Sequence, residues 1–364
     1  MPTVCTVVGA RPNYMKAGPL HAELRGLGLR QVLVHTGQHY GDAMSGVFFR
    51  QLGLPEPDHH LGVGSGSHAE TTGRVMAAFE RVLLADPPDL VVVVGDVDST
   101  LAAALTARKL HIPVAHVEAG LRSFDETMPE EINRRLTDSL ANLLFASEPS
   151  AMGNLRREGV DMDRARLTGD VMLESLDRHL ESIRCACAAR EHGVEPGGYA
   201  LCTIHRPHNV DTPEALTEIL NLLEMVEGPI LLPLHPRTKN RLAAFDLDGR
   251  LAAIRHVRPV EPLPYLGFLD LMRSCRLLLS DSGSVQAEAS WFDAPCLICR
   301  ENTERPVYVE EGTTTLVGRD PDKLAGALRA VEAGTYKRST PRVRELGRGV
   351  ARSMAEGVAA FLGL

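Results

Sequence analysis

Leu90-Val91-Val92-Val93-Val94 is an unbroken apolar run, and Gly95-Asp96 follows it directly. A strand that exposes one face to water alternates apolar with polar residues, whereas this run is apolar at every position. It therefore predicts a strand of a parallel sheet that helices cover on both faces. Polar residues at the end of such a strand lie at the carboxyl edge of the sheet, where open α/β sheets bind their ligands.

The remainder of the chain repeats the same order of strand, polar loop and helix. Residues 1–170 hold about six such alternations, which predict one doubly wound domain. Residues 171–345 predict a second domain of the same kind, which opens with one long helical segment as far as Arg190. The sequence thus predicts an α/β protein with two Rossmann-like domains that face each other across a cleft.

The composition excludes several classes of protein. The net charge of -8 over 364 residues argues against a general nucleic-acid binder, whose surface would be basic. No apolar run reaches the roughly 20 residues that a membrane-spanning helix needs, and the N-terminus is typical of a strand rather than of a signal peptide. The seven cysteines, an odd number, favour reduced thiols in a cytoplasm. Cys296 and Cys299 have no second pair at zinc-site spacing, so we expect no metal.

The first strand ends in a loop that suits an anion. Val4–Val8 is followed by Gly9-Ala10-Arg11-Pro12 and then by a helical pattern. Free N–H groups at a helix start attract phosphate, and an arginine side chain can bind phosphate through two hydrogen bonds. The dinucleotide fingerprint Gly-x-Gly-x-x-Gly is absent. Arg11 is therefore a candidate phosphate ligand, and the alternative is a solvated arginine in a turn.

Carboxylates gather at the ends of two further strands. Asp96 follows the strand at Leu90–Val94, and Glu118 ends the strand that we predict beside it. Two carboxylates in one pocket have their pKa values split, which suits acid and base roles. Glu130 adds a third carboxylate at the next helix start, although the helix dipole alone also favours glutamate there. Glu131, Arg134 and Arg135 of the same stretch are interpreted as structural support.

The second domain offers a diphosphate site and two histidines. Ser282-Gly283-Ser284 stands at a helix start, where backbone N–H groups can cradle a diphosphate, or where the serine simply caps the helix. Glu288, in the same helix, could reach a ribose diol. His205 and His235 follow strands and are either phosphate or acid/base groups or ordinary polar residues.

Eight motifs occur in an order that resembles the non-hydrolysing UDP-N-acetylglucosamine 2-epimerases. The resemblance extends from Val4 to Val317, nearly the whole chain. The motifs are Gly9-Ala10-Arg11-Pro12 with Lys16, Thr36-Gly37-Gln38-His39, Gly95-Asp96, His116-Val117-Glu118-Ala119-Gly120-Leu121-Arg122, Pro129-Glu130-Glu131 with Asn133-Arg134, Thr203 with His205-Arg206, Ser280-Asp281-Ser282-Gly283, and Thr303-Glu304-Arg305-Pro306.

The resemblance implies the glycosyltransferase-B type fold, with the C-terminal helix of residues 346–364 packing back on the first domain. It implies interconversion of UDP-GlcNAc and UDP-ManNAc without NAD or metal, through elimination and re-addition of UDP and a 2-acetamidoglucal intermediate. It further implies a homodimer.

The family's functional residues match positions in this chain. The matching catalytic residues are Asp96, Glu118, Glu130 and His205. The matching UDP-sugar ligands are Arg11, Lys16, His235, Phe268 beside the uracil, Ser282, Gly283, Ser284 and Glu288. Family members commonly carry a second glycine where Ser284 stands. That difference leaves open a modified substrate such as UDP-diacetamido-glucuronate, and a UDP-sugar glycosyltransferase of the same fold is the other alternative.

Overall fold

The protein divides into two compact units. The structure is a computed structural model that describes residues 1–37, 54–64 and 66–364. The first unit comprises residues 1–178 and 345–364, and the second comprises residues 179–344. The division thus lies after helix Val171–Arg178 rather than at the predicted residue 170. Among the described residues, no helix combines the length and the apolar character that crossing a membrane would require.

A parallel sheet of seven described strands forms the centre of the first unit. Its strands lie in the order β3-β2-β1-β4-β5-β6-β7, and every pairing is parallel. The order in which the chain adds strands to the sheet therefore reverses between β1 and β4. The strands are β1 Thr3–Val8, β2 Arg30–His35, β3 His59–His60, β4 Leu90–Val94, β5 Val114–Ala119, β6 Leu143–Ala146 and β7 Ala165–Leu167.

Helices connect these strands. Those described are α1 Arg11–Gly26, α2 His68–Ala85, α3 Asp98–Lys109, α4 Pro129–Leu140, α5 Pro149–Arg157 and α6 Val171–Arg178. Strand β4 shows why helices must cover both faces, because all five of its residues are buried. Val91 and Val93 pack into one hydrophobic cluster, and Val92 and Val94 pack into another. The prediction of a strand buried on both faces is confirmed.

The second unit repeats the architecture. Its six described strands lie in the order β10-β9-β8-β11-β12-β13, again all parallel, with the reversal between β8 and β11. The strands are β8 Ala200–Thr203, β9 Ile230–Pro233, β10 Val257–Val260, β11 Leu277–Ser280, β12 Cys296–Ile298 and β13 Thr314–Leu316. The predicted class, two Rossmann-like α/β domains, is confirmed.

The helices of residues 179–346 correct one prediction. They are α7 Leu180–Cys185, α8 Ala188–Glu191, α9 Pro207–Val210, α10 Pro213–Met225, α11 Pro236–Ala244, α12 Asp248–Ala253, α13 Tyr265–Ser274, α14 Val285–Phe292, α15 Pro306–Glu310, α16 Pro321–Glu332 and α17 Pro341–Leu346. The single helix predicted from residue 171 to Arg190 is wrong, since α6, α7 and α8 are separate. Cys187 has a left-handed φ of 50°, which interrupts the helical hydrogen bonds before α8.

The C-terminal helix α18, Val350–Phe361, completes the first unit. It contacts α1, α6 and β6. Val350, Met354 and Val358 are buried in the same cluster as Leu20 of α1. Residues from the two ends of the chain therefore share one hydrophobic core.

We predict that Met354→Ala destabilises the protein by about 2–5 kcal/mol, because it removes a buried side chain and leaves a cavity. Arg352→Ala, at an exposed position of the same helix, should change stability by less than about 0.5 kcal/mol. Urea unfolding of both variants measures the difference. If Met354→Ala lost no more stability than the small change expected for Arg352→Ala, α18 would not be part of the core.

Candidate active site

Some predicted site residues lie outside the described part of the structure. Gln38 and His39, which belong to one motif of the resemblance, are not among the described residues. The backbone of Arg11 begins α1, but its side chain is outside the description. Its predicted contact with phosphate therefore stays a prediction.

Asn13 fixes the loop at the switch point of the first sheet. Its Oδ1 accepts hydrogen bonds from the backbone N–H groups of Gly9, at 3.1 Å, and Ala10, at 2.8 Å. Its Nδ2 donates to the carbonyl oxygen of Val94 at 3.0 Å. One side chain thus joins the ends of the two central strands, β1 and β4. No role was predicted for Asn13, although its place directly after Arg11-Pro12 was a usable signal.

Glu118 occupies an unusual backbone position within β5. The pairing of β5 with β6 shifts register between Val117 and Ala119, and Glu118 has a φ of 72°. Non-glycine residues rarely adopt this left-handed conformation, and holding one there costs about 1–3 kcal/mol. The Glu118 side chain is nevertheless buried, and its Oε2 forms an ion pair with Lys16 Nζ. Lys16, predicted as a substrate ligand, lies on α1 and contacts this carboxylate.

Asp96 lies at the end of the neighbouring strand β4. The pairing of Val94 with Val117 brings the carboxyl ends of β4 and β5 together. Asp96 Oδ2 accepts from Arg134 Nε at 3.0 Å, while a third of its side chain remains exposed. Arg134 is buried, so its charge acts on Asp96 with little screening by solvent. Arg134, interpreted from the sequence as structural support, therefore contacts a candidate catalytic group.

Adjacent glutamates at the start of α4 differ in their surroundings. Glu131 is buried and forms an ion pair with Arg134. Its carboxylate also accepts from the backbone N–H groups of Ser123, at 2.9 Å, and Phe124, at 3.1 Å. Glu131 thus fixes the loop before α4, which agrees with its predicted structural role. Glu130 is half-buried in the first turn of α4.

In the second unit, Asp281 organises the loops at the switch point between β8 and β11. It is fully buried. Its carboxylate accepts from the backbone N–H groups of His205, at 3.1 Å, and Arg206, at 2.9 Å, and from Asn209 Nδ2 at 3.0 Å. The residue that follows β11 therefore sets the backbone that follows β8. Asp281 belongs to one of the eight motifs, but no role was predicted for it.

His205 and His235 lie together. Their rings stack with centroids 4.9 Å apart, and His205 Nδ1 lies 3.5 Å from Asp281 Oδ1. His235 caps α11, because its Nδ1 accepts from the backbone N–H of Arg237 at 3.1 Å. An Nδ1 that accepts leaves the proton of a neutral ring on Nε2. The two predicted histidines thus form one cluster at adjacent strand ends.

The Ser282–Ser284 turn leads into α14, and Gly283 lies close to the Glu304 side chain there. A Cβ at this position would lie 1.9 Å from Glu304 Oε1. Glu304 is itself buried and accepts from Arg300 Nη2 at 2.8 Å. The turn is therefore packed closely against Glu304. Its serines and the free N–H groups at the start of α14 form a suitable environment for an anion.

Glu288 lies in the first turn of α14, where Tyr265 Oη donates a hydrogen bond to its Oε1. Tyr265 and Phe268 both belong to α13, which contacts α14. Phe268 is half-buried. The carboxylate that we assigned to a ribose diol and the aromatic ring that we assigned to uracil are therefore on adjacent helices of one unit. Tyr265 was not among the predicted site residues.

These contacts give each unit a distinct chemical character. The first carries a buried carboxylate paired with an ammonium group, beside a second carboxylate paired with a guanidinium group. The second carries an anion-binding turn, two stacked imidazoles and an oriented carboxylate. Such groups suit proton transfer and the binding of a nucleotide diphosphate, respectively.

A family model for UDP-N-acetylglucosamine 2-epimerases matches residues 23–356. The chain belongs to the UDP-N-acetylglucosamine 2-epimerase family. The resemblance inferred from the ordered motifs is confirmed.

Known members of the 2-epimerase family cover most of the chain. It is 42% identical over 336 residues to the UDP-N-acetylglucosamine 2-epimerase of Methanocaldococcus jannaschii, which covers 90% of each chain. It is 40% identical over 338 residues to the UDP-2,3-diacetamido-2,3-dideoxy-D-glucuronate 2-epimerase of Pseudomonas aeruginosa, covering 90% of this chain and 91% of that one.

A solved structure extends the likeness to three dimensions. The M. jannaschii UDP-GlcNAc 2-epimerase, crystallised in complex with UDP-GlcNAc and UDP, superimposes with a TM-score of 0.89 at 39% identity. The match covers 99% of each chain.

Proposed function

We propose that the protein interconverts UDP-N-acetylglucosamine and UDP-N-acetylmannosamine without hydrolysing either. The observation that carries the proposal is the buried Glu118 carboxylate, held by Lys16 at the end of β5 beside Asp96. Burying a charged carboxylate inside a sheet costs free energy unless an opposite charge is paired with it. Membership of the 2-epimerase family supplies the reaction that would use it.

The proposed reaction proceeds by elimination. A carboxylate removes the proton from carbon 2 of the sugar, the bond between carbon 1 and the UDP oxygen breaks, and 2-acetamidoglucal forms. Carbon 2 then receives a proton on its other face while UDP adds back to carbon 1. Each step moves a proton or the UDP group and none transfers a hydride, so the scheme uses no NAD, and we propose that it uses no metal. Inversion needs one acid/base group on each face of the sugar.

In this scheme Asp96, Glu118 and Glu130 are the acid/base carboxylates. Lys16 forms an ion pair with Glu118, and Arg134 forms one with Asp96, so a cation holds each carboxylate in place. We propose that the Lys16 ammonium also binds the UDP-sugar.

The second unit has the groups that UDP departure needs, since negative charge develops on its diphosphate. We propose that Ser282, Gly283 and Ser284 receive the diphosphate at the start of α14, together with His235. His205 is the further catalytic residue, and its ring is oriented by His235 and Asp281. Glu288, oriented by Tyr265, binds the ribose, and Phe268 lies beside the uracil.

A modified sugar nucleotide is the second candidate substrate. The chain is 40% identical to a UDP-2,3-diacetamido-glucuronate 2-epimerase and 42% identical to the M. jannaschii UDP-N-acetylglucosamine 2-epimerase. Because the two identities are so close, both sugar nucleotides remain candidate substrates. A UDP-sugar glycosyltransferase of the same fold would have no need for three carboxylates around carbon 2. We further propose a cytoplasmic location, which the seven free cysteines support.

We also propose a homodimer. On α4, Ile132 and Leu136 lie one turn apart, and 50% and 47% of their surfaces are exposed. They line a groove with Glu126 and Arg135. A second copy of the chain suits this groove, because a two-fold contact would bury the apolar pair beside the Glu126–Arg135 ion pair.

Sedimentation equilibrium should give the mass of two chains for the native protein. Leu136→Asp should shift the mass towards one chain, since it places a charge in the apolar contact. Leu84→Asp, at another exposed leucine, should leave it at two. A native protein at the mass of one chain would refute the homodimer.

We predict that incubation of UDP-GlcNAc with the protein in deuterated water yields UDP-ManNAc that carries deuterium at carbon 2. No NAD should be needed, because the proton comes from solvent through a carboxylate. Mass spectrometry and proton NMR of the recovered sugar nucleotides measure the label.

Binding of UDP-GlcNAc without deuterium in either sugar nucleotide would reject epimerisation of this substrate. Parallel incubation with UDP-2,3-diacetamido-glucuronate then tests the second candidate. Free N-acetylmannosamine as the main product would instead indicate a hydrolysing enzyme.

A further inference from the structure

His116 lies fully buried in β5 between two hydrogen-bond acceptors. Its Nε2 is 2.8 Å from the carbonyl oxygen of Gly95, and its Nδ1 is 2.7 Å from Asp138 Oδ1. A carbonyl oxygen only accepts, so Nε2 must carry a proton. An ionised carboxylate also only accepts, so Nδ1 must carry a second proton if Asp138 is charged.

The surroundings of Asp138 favour the charged form. Its Oδ2 accepts from the backbone N–H of Gly120 at 2.9 Å and contacts Arg122 Nη2 at 2.7 Å. Burial raises the pKa of Asp138, but His116 and Arg122 together hold that pKa below its usual value. Arg122 is in turn paired with Glu158. The acceptors that face both ring nitrogens point to a doubly protonated His116 ring paired with Asp138.

This ion pair holds the backbone on both sides of Glu118. His116 precedes Glu118 by two residues, Gly120 follows it by two, and Asp138 binds both. The register shift of β5 falls between these two attachments. A left-handed glutamate persists only where its surroundings determine its conformation. Within the described structure, Asp138 is a side chain that contacts the strand on either side of the bulge.

The same histidine also fixes the strand end opposite Glu118. Gly95 has a φ of 72°, and a Cβ built on it would lie 3.6 Å from Glu118 Oε2. The Glu118 carboxylate therefore lies against the backbone of Gly95, whose carbonyl His116 holds. Asp96 is the next residue. A single imidazolium thus links the backbone positions of two candidate catalytic carboxylates.

We propose that Asp138 and His116 form a positioning pair, which holds Glu118 and the Gly95–Asp96 turn in their working arrangement without touching the substrate. The proposal rests on the proposed function. It predicts that loss of Asp138 lowers the turnover number and leaves UDP affinity nearly unchanged, because Asp138 contacts His116, Gly120 and Arg122, none of which is a proposed UDP ligand.

The protonation of His116 can be tested without any substrate. In the full-length protein labelled with ¹⁵N-histidine, we expect two ring N–H signals from His116 at neutral pH, identified by their loss in His116→Gln. Asp138→Asn should retain one, because its amide can donate to Nδ1 of a neutral ring while its oxygen still accepts from Gly120. A single ring N–H in the native protein would overturn the ion pair.

Turnover and binding provide the second test. Asp138→Ala should lower kcat by about 10- to 100-fold, as expected for a displaced catalytic group, with the Kd for UDP by calorimetry within about twofold. Asp138→Asn keeps the hydrogen bonds and should recover kcat to within about threefold of the native value. Asp177→Asn makes the same chemical change at an exposed position and is the control.

The proposal is overturned if Asp138→Ala keeps native kcat, or if Asp138→Asn loses as much turnover as Asp138→Ala. Parallel loss of UDP binding and turnover would also overturn it, since that pattern indicates general support of the fold. Absence of turnover in the native protein would reject the proposed function, while the ring signals would still test the ion pair.

Discussion

A charged carboxylate inside a sheet must be neutralised, and the burial of Glu118 in β5 imposes this requirement on the first unit. An unpaired buried charge would cost several kcal/mol, and the ammonium group of Lys16 on α1 pairs with the Glu118 carboxylate. The left-handed backbone at Glu118 adds a second requirement, that the strand be fixed on both sides of the bulge. Asp138 meets it by binding His116 and Gly120. Much of the polar network of this unit follows from these two needs.

The two units solve different problems with the same architecture. In each, the reversal of strand order leaves an opening at the carboxyl edge of a parallel sheet. In the first unit that edge has carboxylates held by cations, which suits proton transfer. In the second it has Asp281, which orders the backbone of His205 and Arg206, and a serine-glycine turn before α14. We therefore propose that acid/base chemistry belongs to the first unit and most of the nucleotide binding to the second.

The sequence predicted the features that depend on local pattern. Five apolar residues in succession predict a strand buried on both faces, and Leu90–Val94 is such a strand. The polar residues that follow predicted strands identified the loops of Asp96, His205 and Ser282 as candidate parts of the site.

Features that depend on contacts across the sheet could not be predicted. The sequence of an apolar strand contains no signal of a left-handed φ, so the bulge at Glu118 was not predicted. Arg134 was interpreted only as structural support, because its contact with Asp96 joins separate elements and leaves no signal in the local sequence. The helix predicted as far as Arg190 failed because helix propensity does not register the left-handed backbone of Cys187.

The central claim is that Asp96 and Glu118 perform the acid/base chemistry and do not bind UDP. The most direct measurement compares kcat and the Kd for UDP in Asp96→Asn and Glu118→Gln with those of the native protein. The account predicts that each variant loses turnover by about 100-fold or more and keeps its UDP affinity within about threefold. Equal losses of turnover and UDP affinity would contradict it, and would assign these carboxylates to substrate binding.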